Sequence, residues 1–311
     1  MPETEIINNK NVLLSVDDLC MYFDTGNIRV RACEHVSFQI YEGETFGLVG
    51  ESGSGKSTIG KCIIGLNKAT HGSIRFDGAE LTNIKSQAEY IDKARGIKMI
   101  FQDPMSSLNP RKQVGEIIKE ALVLQKTRKS KSDQNKAVSD ILKKVGIPTE
   151  YATRYPKSFS GGQRQRIGIA RALVADPRLI IADECIAALD TSVQAQIVNL
   201  LHKIKKETGL SFLFISHDLS MVRFLSDRIG VLHLGYLLEV GTSDEIFDAP
   251  MHPYTRGLLD AIPRMNPVIQ SSGENKYDRK AFGIDYGLGT WHKISATHKV
   301  WCTDQEYELW R

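Results

Sequence analysis

The 311 residues contain no uninterrupted apolar run near the roughly 18 to 20 residues that a membrane-spanning helix needs, so no transmembrane segment is expected. Cysteine is sparse. The five present (Cys20, Cys33, Cys62, Cys185 and Cys302) are scattered, with no Cys-x-x-Cys pair and no metal-ligand spacing. That argues against a disulfide framework and for a reducing compartment. An excess of one charge is also missing. The 40 Lys and Arg against 37 Asp and Glu leave a net charge of +3, too little to imply nucleic acid or an anionic membrane surface as a partner. The opening MPETEIINNK is polar and acidic-leaning, so no secretory signal is expected. Internal repeats are absent. What remains is the composition of a soluble cytosolic globular protein, 41% apolar and 25% charged. The length suffices for a full-sized core and one or two smaller attached units.

From about Val12 to Phe46 the pattern reads as short strands broken by turns. Tyr22-Phe23 and Val36–Ile40 carry the β-branched and aromatic signal, and Gly26 and Gly43 punctuate it. Thr45–Val49 runs straight into a glycine-rich loop, after which Ile59, Cys62, Ile63 and Leu66 fall at helical spacing. Lys98–Phe101 reads as a further strand. From Val114 to about Ile147 the spacing turns helical, with Ile117, Ile118, Ala121 and Leu122, then Val138, Ile141, Leu142 and Val145. This is a helical insertion. A basic patch, Lys126–Lys131, lies between its halves and reads either as a solvated loop or as a polyanion site. Leu179–Ala182, Phe212–Ile215 and Ile229–Leu232 are apolar runs without alternation, the pattern of strands buried on both faces of a helix-covered parallel sheet. A helical stretch with Val193, Ile197, Leu200, Leu201 and Ile204 separates the first two. Beyond about Pro250 the composition shifts to Pro, Gly, Trp and Tyr, and a separate C-terminal unit is expected.

The loop is Gly50-Glu51-Ser52-Gly53-Ser54-Gly55-Lys56-Ser57, followed by Thr58. Its glycines let the chain curl until successive N–H groups point inward at phosphate oxygens. The helix that starts near Lys56 adds the positive end of its dipole at the same point. In a loop of this pattern Lys56 reaches the β- and γ-phosphates and the Ser57 hydroxyl ligates Mg²⁺. Strand before and helix after are the context the motif requires, so nucleotide binding is expected. The loop alone leaves kinases, GTPases, helicases and transport ATPases open. The nearest match to a guanine-reading Asn-Lys-x-Asp is Asn67-Lys68-Ala69-Thr70, which lacks the Asp and weakens the GTPase branch.

A second glycine turn, Ser160-Gly161-Gly162-Gln163, opens the helical run from Arg164 to Val174. A hydroxyl, free amides and a helix N-terminus make it an anion site of the same physical kind. Leu179–Ala182 then ends in Asp183 and Glu184. The first is suited to the Mg²⁺ shell and the second to orienting or deprotonating a water. In this order and spacing the residues resemble the ABC ATPase family, whose signature reads Leu-Ser-Gly-Gly-Gln; Phe159 stands here where Leu is usual.

The resemblance implies further roles. Gln102 corresponds to a glutamine that contacts metal and attacking water, and His217 to a histidine that contacts the γ-phosphate. Asp190 corresponds to a loop that crosses a dimer interface. Tyr22 corresponds to an aromatic that stacks on adenine, with a core aromatic as the plainer reading. Cys185 follows Glu184 where relatives usually have Pro; a small buried filler and an oxidisable thiol are the two readings.

Phe101–Pro110, Gln194–Ile197 and His252–Pro263 resemble the oligopeptide/dipeptide importer ATPase subfamily, with nickel or another small solute as alternative cargo. Only Cys302 lies beyond residue 250, so no iron–sulfur cluster is expected. Trp291, Trp301 and Trp310 belong either to an interface or to a small packed unit. The implied fold is α/β: a P-loop NTPase (RecA-like) core with an N-terminal antiparallel β region, a helical insertion subdomain and a small C-terminal extension. The expected boundaries are 1–102, 103–172 (helical, with the signature), 173–250 and 251–311. The implied assembly lies peripherally at the cytoplasmic face of the cell membrane. It holds ATP and Mg²⁺ between this chain and a second ABC ATPase subunit, in a heterodimer. Two integral membrane permease subunits and an extracytoplasmic solute-binding protein complete it, with no nucleic acid. Residues Gln102–Pro110 are the implied receiver of a permease helix. The non-transport ABC ATPases are the rival class, disfavoured by the single cassette and the absence of long heptads.

Overall fold

The computed structural model describes residues 11–26, 28–84, 86–103, 107–123, 130–262, 277, 279 and 283–311. In chain order its elements begin with β1 (Val12–Thr25), β2 (Ile28–Tyr41), β3 (Thr45–Val49), α1 (Lys56–Ile63), β4 (His71–Phe76) and β5 (Ala79–Glu80). Then come α2 (Gln87–Lys93), β6 (Ile97–Ile100), α3 (Val114–Val123), α4 (Lys131–Lys144), α5 (Gly161–Leu173), β7 (Leu179–Asp183) and α6 (Thr191–Thr208). The chain ends with β8 (Ser211–Ser216), α7 (Leu219–Leu225), β9 (Arg228–His233), β10 (Tyr236–Thr242), α8 (Ser243–Asp248), α9 (Pro253–Asp260), β11 (Thr290–Lys293), β12 (Lys299–Cys302) and α10 (Asp304–Trp310). Two compact units emerge: Met1–Thr82 with Phe214–Arg311, and Asn83–Leu213.

The first unit holds an antiparallel sheet in the order β2-β1-β4-β5. The expected short strands are in fact one hairpin of two 14-residue strands. Asp18 (φ 53°) and His35 (φ 51°) are left-handed, and the pairing register of β1 slips between Val16 and Leu19 and again before Met21. Each bulge shifts the inward-facing set by one residue, so continuous strands look interrupted in the sequence. Beside this sheet in the chain, β3 pairs in parallel with β9, and every residue of Thr45–Val49 is buried. That is why β3 reads as an unbroken apolar run. From β9 the sheet continues antiparallel through β10 and β12 to β11.

The C-terminal segment therefore extends the sheet that carries the phosphate loop. Its tryptophans are packing residues. Trp291 and Trp301 meet edge to face at 5.5 Å, the Trp301 indole donates to the Tyr286 carbonyl at 2.9 Å, and Trp310 lies 4.9 Å from His252. Buried Glu239 ties the region together. It accepts from the backbone N–H groups of Met251 (2.6 Å) and His252 (3.1 Å) and meets His298 Nε2 at 2.7 Å.

The second unit pairs β6 with β7 in parallel and carries α3, α4, α5 and α6. Helix α6 buries Ile197, Val198, Leu200, Leu201 and Ile204, one stripe at helical spacing, and stops at Gly209, left-handed at φ 66°. The basic patch at 126–131 falls largely outside the described residues, as do 104–106 of the stretch 102–110. No described helix is long and apolar enough to cross a membrane.

Candidate functional site

In the first unit the loop Gly50–Ser57 closes around a lysine. Gly50, Gly53 and Gly55 all have positive φ (153°, 81° and 106°). A Cβ on Gly50 would lie 2.0 Å from the Leu232 carbonyl oxygen, and one on Gly55 2.1 Å from that of Ala32. Glycine is thus required twice over, by conformation and by space. Gly55 caps α1, leaving the N–H groups of its first turn directed at the loop. Lys56 is only 3% exposed, and its Nζ donates to the carbonyls of Gly50 (2.8 Å) and Glu51 (2.7 Å). Glu51, Ser52 and Gly53 are exposed, whereas Ser57 and Thr58 are half-buried. The cradle fits phosphate: backbone donors, one buried cation and no room for side chains at its two tightest points.

One anchor of this loop escaped the sequence reading. The Glu51 N–H donates to the hydroxyl of Tyr254 at 3.1 Å, from α9, 203 residues away in the chain. Tyr254 is 1% exposed and stacks on His233, whose Nδ1 meets the Tyr286 hydroxyl at 2.6 Å. Burial pushes the Tyr254 hydroxyl up, so it stays protonated and keeps its lone pairs for the loop amide. Tyr22 lies half-buried in β1 and donates its hydroxyl to Glu34 Oε1 at 2.6 Å. That bond, with burial behind it, raises its pKa. His217, in the same unit, is exposed just beyond β8, next to Asp218, which caps α7.

In the second unit the carboxylate and glutamine singled out from sequence do meet. Gln102 Nε2 donates to Glu184 Oε2 at 2.9 Å. Asp183, at the end of β7, is buried, and Glu184 is left-handed at φ 42°. A non-glycine residue in that region costs about 1–3 kcal/mol, a strain that clusters at functional sites. Cys185 is buried with its thiol pushed up to about 12, chiefly by burial. A protonated, buried thiol is inert, which favours the filler reading.

The second glycine turn is already folded as a helix cap. Ser160 Oγ accepts the Gln163 N–H at 3.3 Å while Gln163 Oε1 accepts the Ser160 N–H at 3.1 Å, a reciprocal capping box. Phe159 is buried against Tyr151, so the apolar requirement at this position is met without Leu. Asp190 sits at the N-cap of α6, exposed, with no capping bond from its side chain.

Comparisons with known proteins identify the family. Residues 33–187 match the family model described as ABC transporter, and 238–283 match that of the oligopeptide/dipeptide transporter C-terminal region. The chain is 46% identical over 304 residues to the oligopeptide transport ATP-binding protein OppF of Streptococcus mutans, covering 97% of this chain and 98% of that relative. The chain belongs to the ABC transporter ATP-binding family. OppF of Bacillus subtilis is a further relative of this cassette, 48% identical over 298 residues, which are 95% of this chain and 98% of the relative. Among solved structures, the dimeric post-hydrolysis ATP-binding cassette MJ0796, bound to ADP and phosphate, superposes with a TM-score of 0.68 at 30% identity. The match spans 74% of this chain and 98% of that one. The α/β P-loop architecture with an antiparallel N-terminal sheet, expected from sequence, is the one observed.

Proposed function

We propose that this chain is the ATP-hydrolysing subunit of a membrane importer for oligopeptides or dipeptides. The observation that carries the reading is the pair of glycine turns, each opening a helix, in a chain that also presents the Gln102–Glu184 pair. One nucleotide needs one phosphate cradle. A chain with two anion turns therefore owns halves of two sites, and each ATP lies between Gly50–Thr58 of one subunit and Ser160–Gln163 of a second, related ATPase.

In this reading Lys56 exchanges its carbonyl partners for phosphate oxygens, a move of low cost because both are hydrogen-bond acceptors for the same ammonium. Glu184 orients the attacking water, held in place by Gln102, and His217 contacts the γ-phosphate. Tyr22 stacks on adenine, and Asp190 faces the partner ATPase across the dimer. Ser57, Asp183 and Gln102 are oxygen donors, a set suited to a hard cation, and would hold Mg²⁺. When bound, that ion neutralises phosphate charge. The segments 103–172 and 251–311 serve as the helical subdomain and the C-terminal extension of a core made of 1–102 and 173–250. Residues 102–110 receive a permease helix, so the subunit sits peripherally on the cytoplasmic face beneath two permease subunits, with a solute-binding protein outside.

Glu184→Gln in the assembled complex tests the catalytic assignment: ATP binding is retained and turnover falls at least ~100-fold. Wild-type turnover in that variant would remove Glu184 from the catalytic role. Deleting the chain should abolish uptake of a labelled oligopeptide while leaving nickel uptake intact; the reverse result would reassign the cargo.

A further inference from the structure

The bulged hairpin β1/β2 gathers metal-ligating side chains that the mechanism above does not use. We propose that Cys20, Glu34 and His35 form a binding site for a thiophilic divalent cation, with Zn²⁺ the best chemical match. One ligand atom from each (the Cys20 sulfur, an imidazole nitrogen and a carboxylate oxygen) lies within 4.8 Å of the other two. His35 Nε2 stands 3.7 Å from Glu34 Oε1. In a regular strand, neighbours 34 and 35 would point to opposite faces. The left-handed backbone of His35 turns them to the same side, and the cross-strand position of β1 brings Cys20 beneath them. Linear spacing could not reveal this, because the ligands converge only through strand pairing and two bulges.

Three further features fit a cation. First, Glu34 is 7% exposed: Oε1 accepts the Tyr22 hydroxyl, and Oε2 is buried with no hydrogen-bond partner. Arg31 Nη1 approaches Oε2 only to 3.6 Å, and its own side chain is mostly in solvent. Apart from that long ion pair the buried oxygen makes no hydrogen bond, and a ligated cation would supply the missing partner. Second, His35 Nδ1 lies 2.7 Å from Asp18 Oδ1. The same Nδ1 lies 4.0 Å from Cys20 Sγ and Nε2 lies 3.7 Å from Glu34 Oε1, so the ring is held between both partners with the Asp18 carboxylate beside it to orient it. Third, Cys20 Sγ receives the backbone N–H of His35 at 3.3 Å, which fixes the sulfur beneath the imidazole and the carboxylate. A sulfur, nitrogen and oxygen set selects Zn²⁺ over Mg²⁺ or Ca²⁺, whose preferred donors are all oxygen. Binding takes the thiolate, so one proton leaves Cys20 for solvent per cation bound. The exposed His35 side leaves a fourth position for water.

The test uses the full-length, reduced, nucleotide-free chain titrated with Co²⁺ alone, followed by competition with Zn²⁺. The expected result is one Co²⁺ per chain with thiolate-to-cobalt charge-transfer absorption, displaced stoichiometrically by Zn²⁺. Cys20→Ser removes that absorption. His35→Asn, chosen because Asn tolerates the left-handed backbone, weakens Co²⁺ binding at least ~10-fold, and Asp18→Asn weakens it about 10-fold. Should Cys20→Ser fail to fold, His35→Asn on the exposed side decides alone. Absence of stoichiometric Co²⁺ binding by the wild type, or unchanged affinity in His35→Asn, would overturn the proposal.

Discussion

The phosphate loop and the Ser160 turn are both glycine turns that open helices, yet they are built on opposite terms. At Gly50 and Gly55 the backbone is left-handed and pressed against carbonyls of β9 and β2, and the loop encloses a buried ammonium. At Gly161 and Gly162 the backbone is helical, the cap is satisfied by its own Ser160–Gln163 pair, and Ser160 is exposed. The first grips through a shape that no other residue can adopt. The second is stable as it stands and offers a helix N-terminus outward. A loop that wraps its ligand needs strain. A turn that only docks onto a ligand held elsewhere needs presentation.

Substitutions at the glycines should separate these two modes most sharply. Gly55→Ala puts a methyl 2.1 Å from a backbone oxygen at a φ of 106°, where only backbone movement can relieve it. A loss of about 3 kcal/mol or more is expected, together with loss of nucleotide binding, measured by chemical denaturation and ATP titration. Gly162→Ala meets Cγ1 of Val193 at 2.5 Å, a side-chain contact that a turn of the stiff valine χ1 relieves at a cost of about 0.5–1.5 kcal/mol, against a helix-propensity gain of about 0.5–1 kcal/mol. Its melting temperature should change little. If Gly162→Ala proved as damaging as Gly55→Ala, the contrast between the two turns would collapse.

Removing one anchor from each turn is the next step down. Tyr254→Phe deletes the hydroxyl that accepts the Glu51 N–H, leaving the ring stack on His233 in place. The expected loss is about 0.5–1.5 kcal/mol, read as an ATP dissociation constant raised by up to about 10-fold with little change in fold. Ser160→Ala removes half of the capping box and should cost about 1 kcal/mol of stability with no effect on ATP binding by the isolated chain. An unchanged ATP affinity in Tyr254→Phe would show that the loop holds its shape without α9.

Acid should act on the phosphate-loop side. Burial lowers His233 to about 4 and His252 to about 3, so both stay neutral in the fold while their unfolded counterparts titrate near 6.5. Below that pH the unfolded chain binds more protons than the folded one. Stability is therefore full above pH 6.5 and declines as pH falls toward 4. The melting temperature should drop across that window, and His252→Gln should shallow the slope.

Much of this was legible from local pattern. The Gly50–Ser57 string, the Ser160–Gln163 cap and the apolar stripe of Thr191–Thr208 are all short-range signals, and each element lies within a few residues of its expected place. Contacts that join distant segments were not legible. Nothing near Tyr254 announces a partner 203 residues upstream. The bulges at Asp18 and His35 broke the alternation of β1 and β2 and made one hairpin look like several pieces. The C-terminal strands escaped because Thr290–Lys293 and Lys299–Cys302 are only four residues each, too short for periodicity to register. Their sheet partner, β10, is needed to define them.

The central claim is that Gly50–Thr58 and Ser160–Gln163 serve different nucleotides in a dimer of ATPase subunits. Gly161→Asp tests it most directly, in a Glu184→Gln background with the co-purified partner ATPase. At the first position of a helix an aspartate favours folding, and a Cβ there finds ordinary contact at 3.4 Å, so the chain should stay folded. Sedimentation with ATP should give a dimer for Glu184→Gln and separate subunits for the double variant, while ATP affinity of the isolated chain is the same in both. Loss of ATP binding by the isolated Gly161→Asp chain, or persistence of the ATP-dependent dimer, would contradict the account.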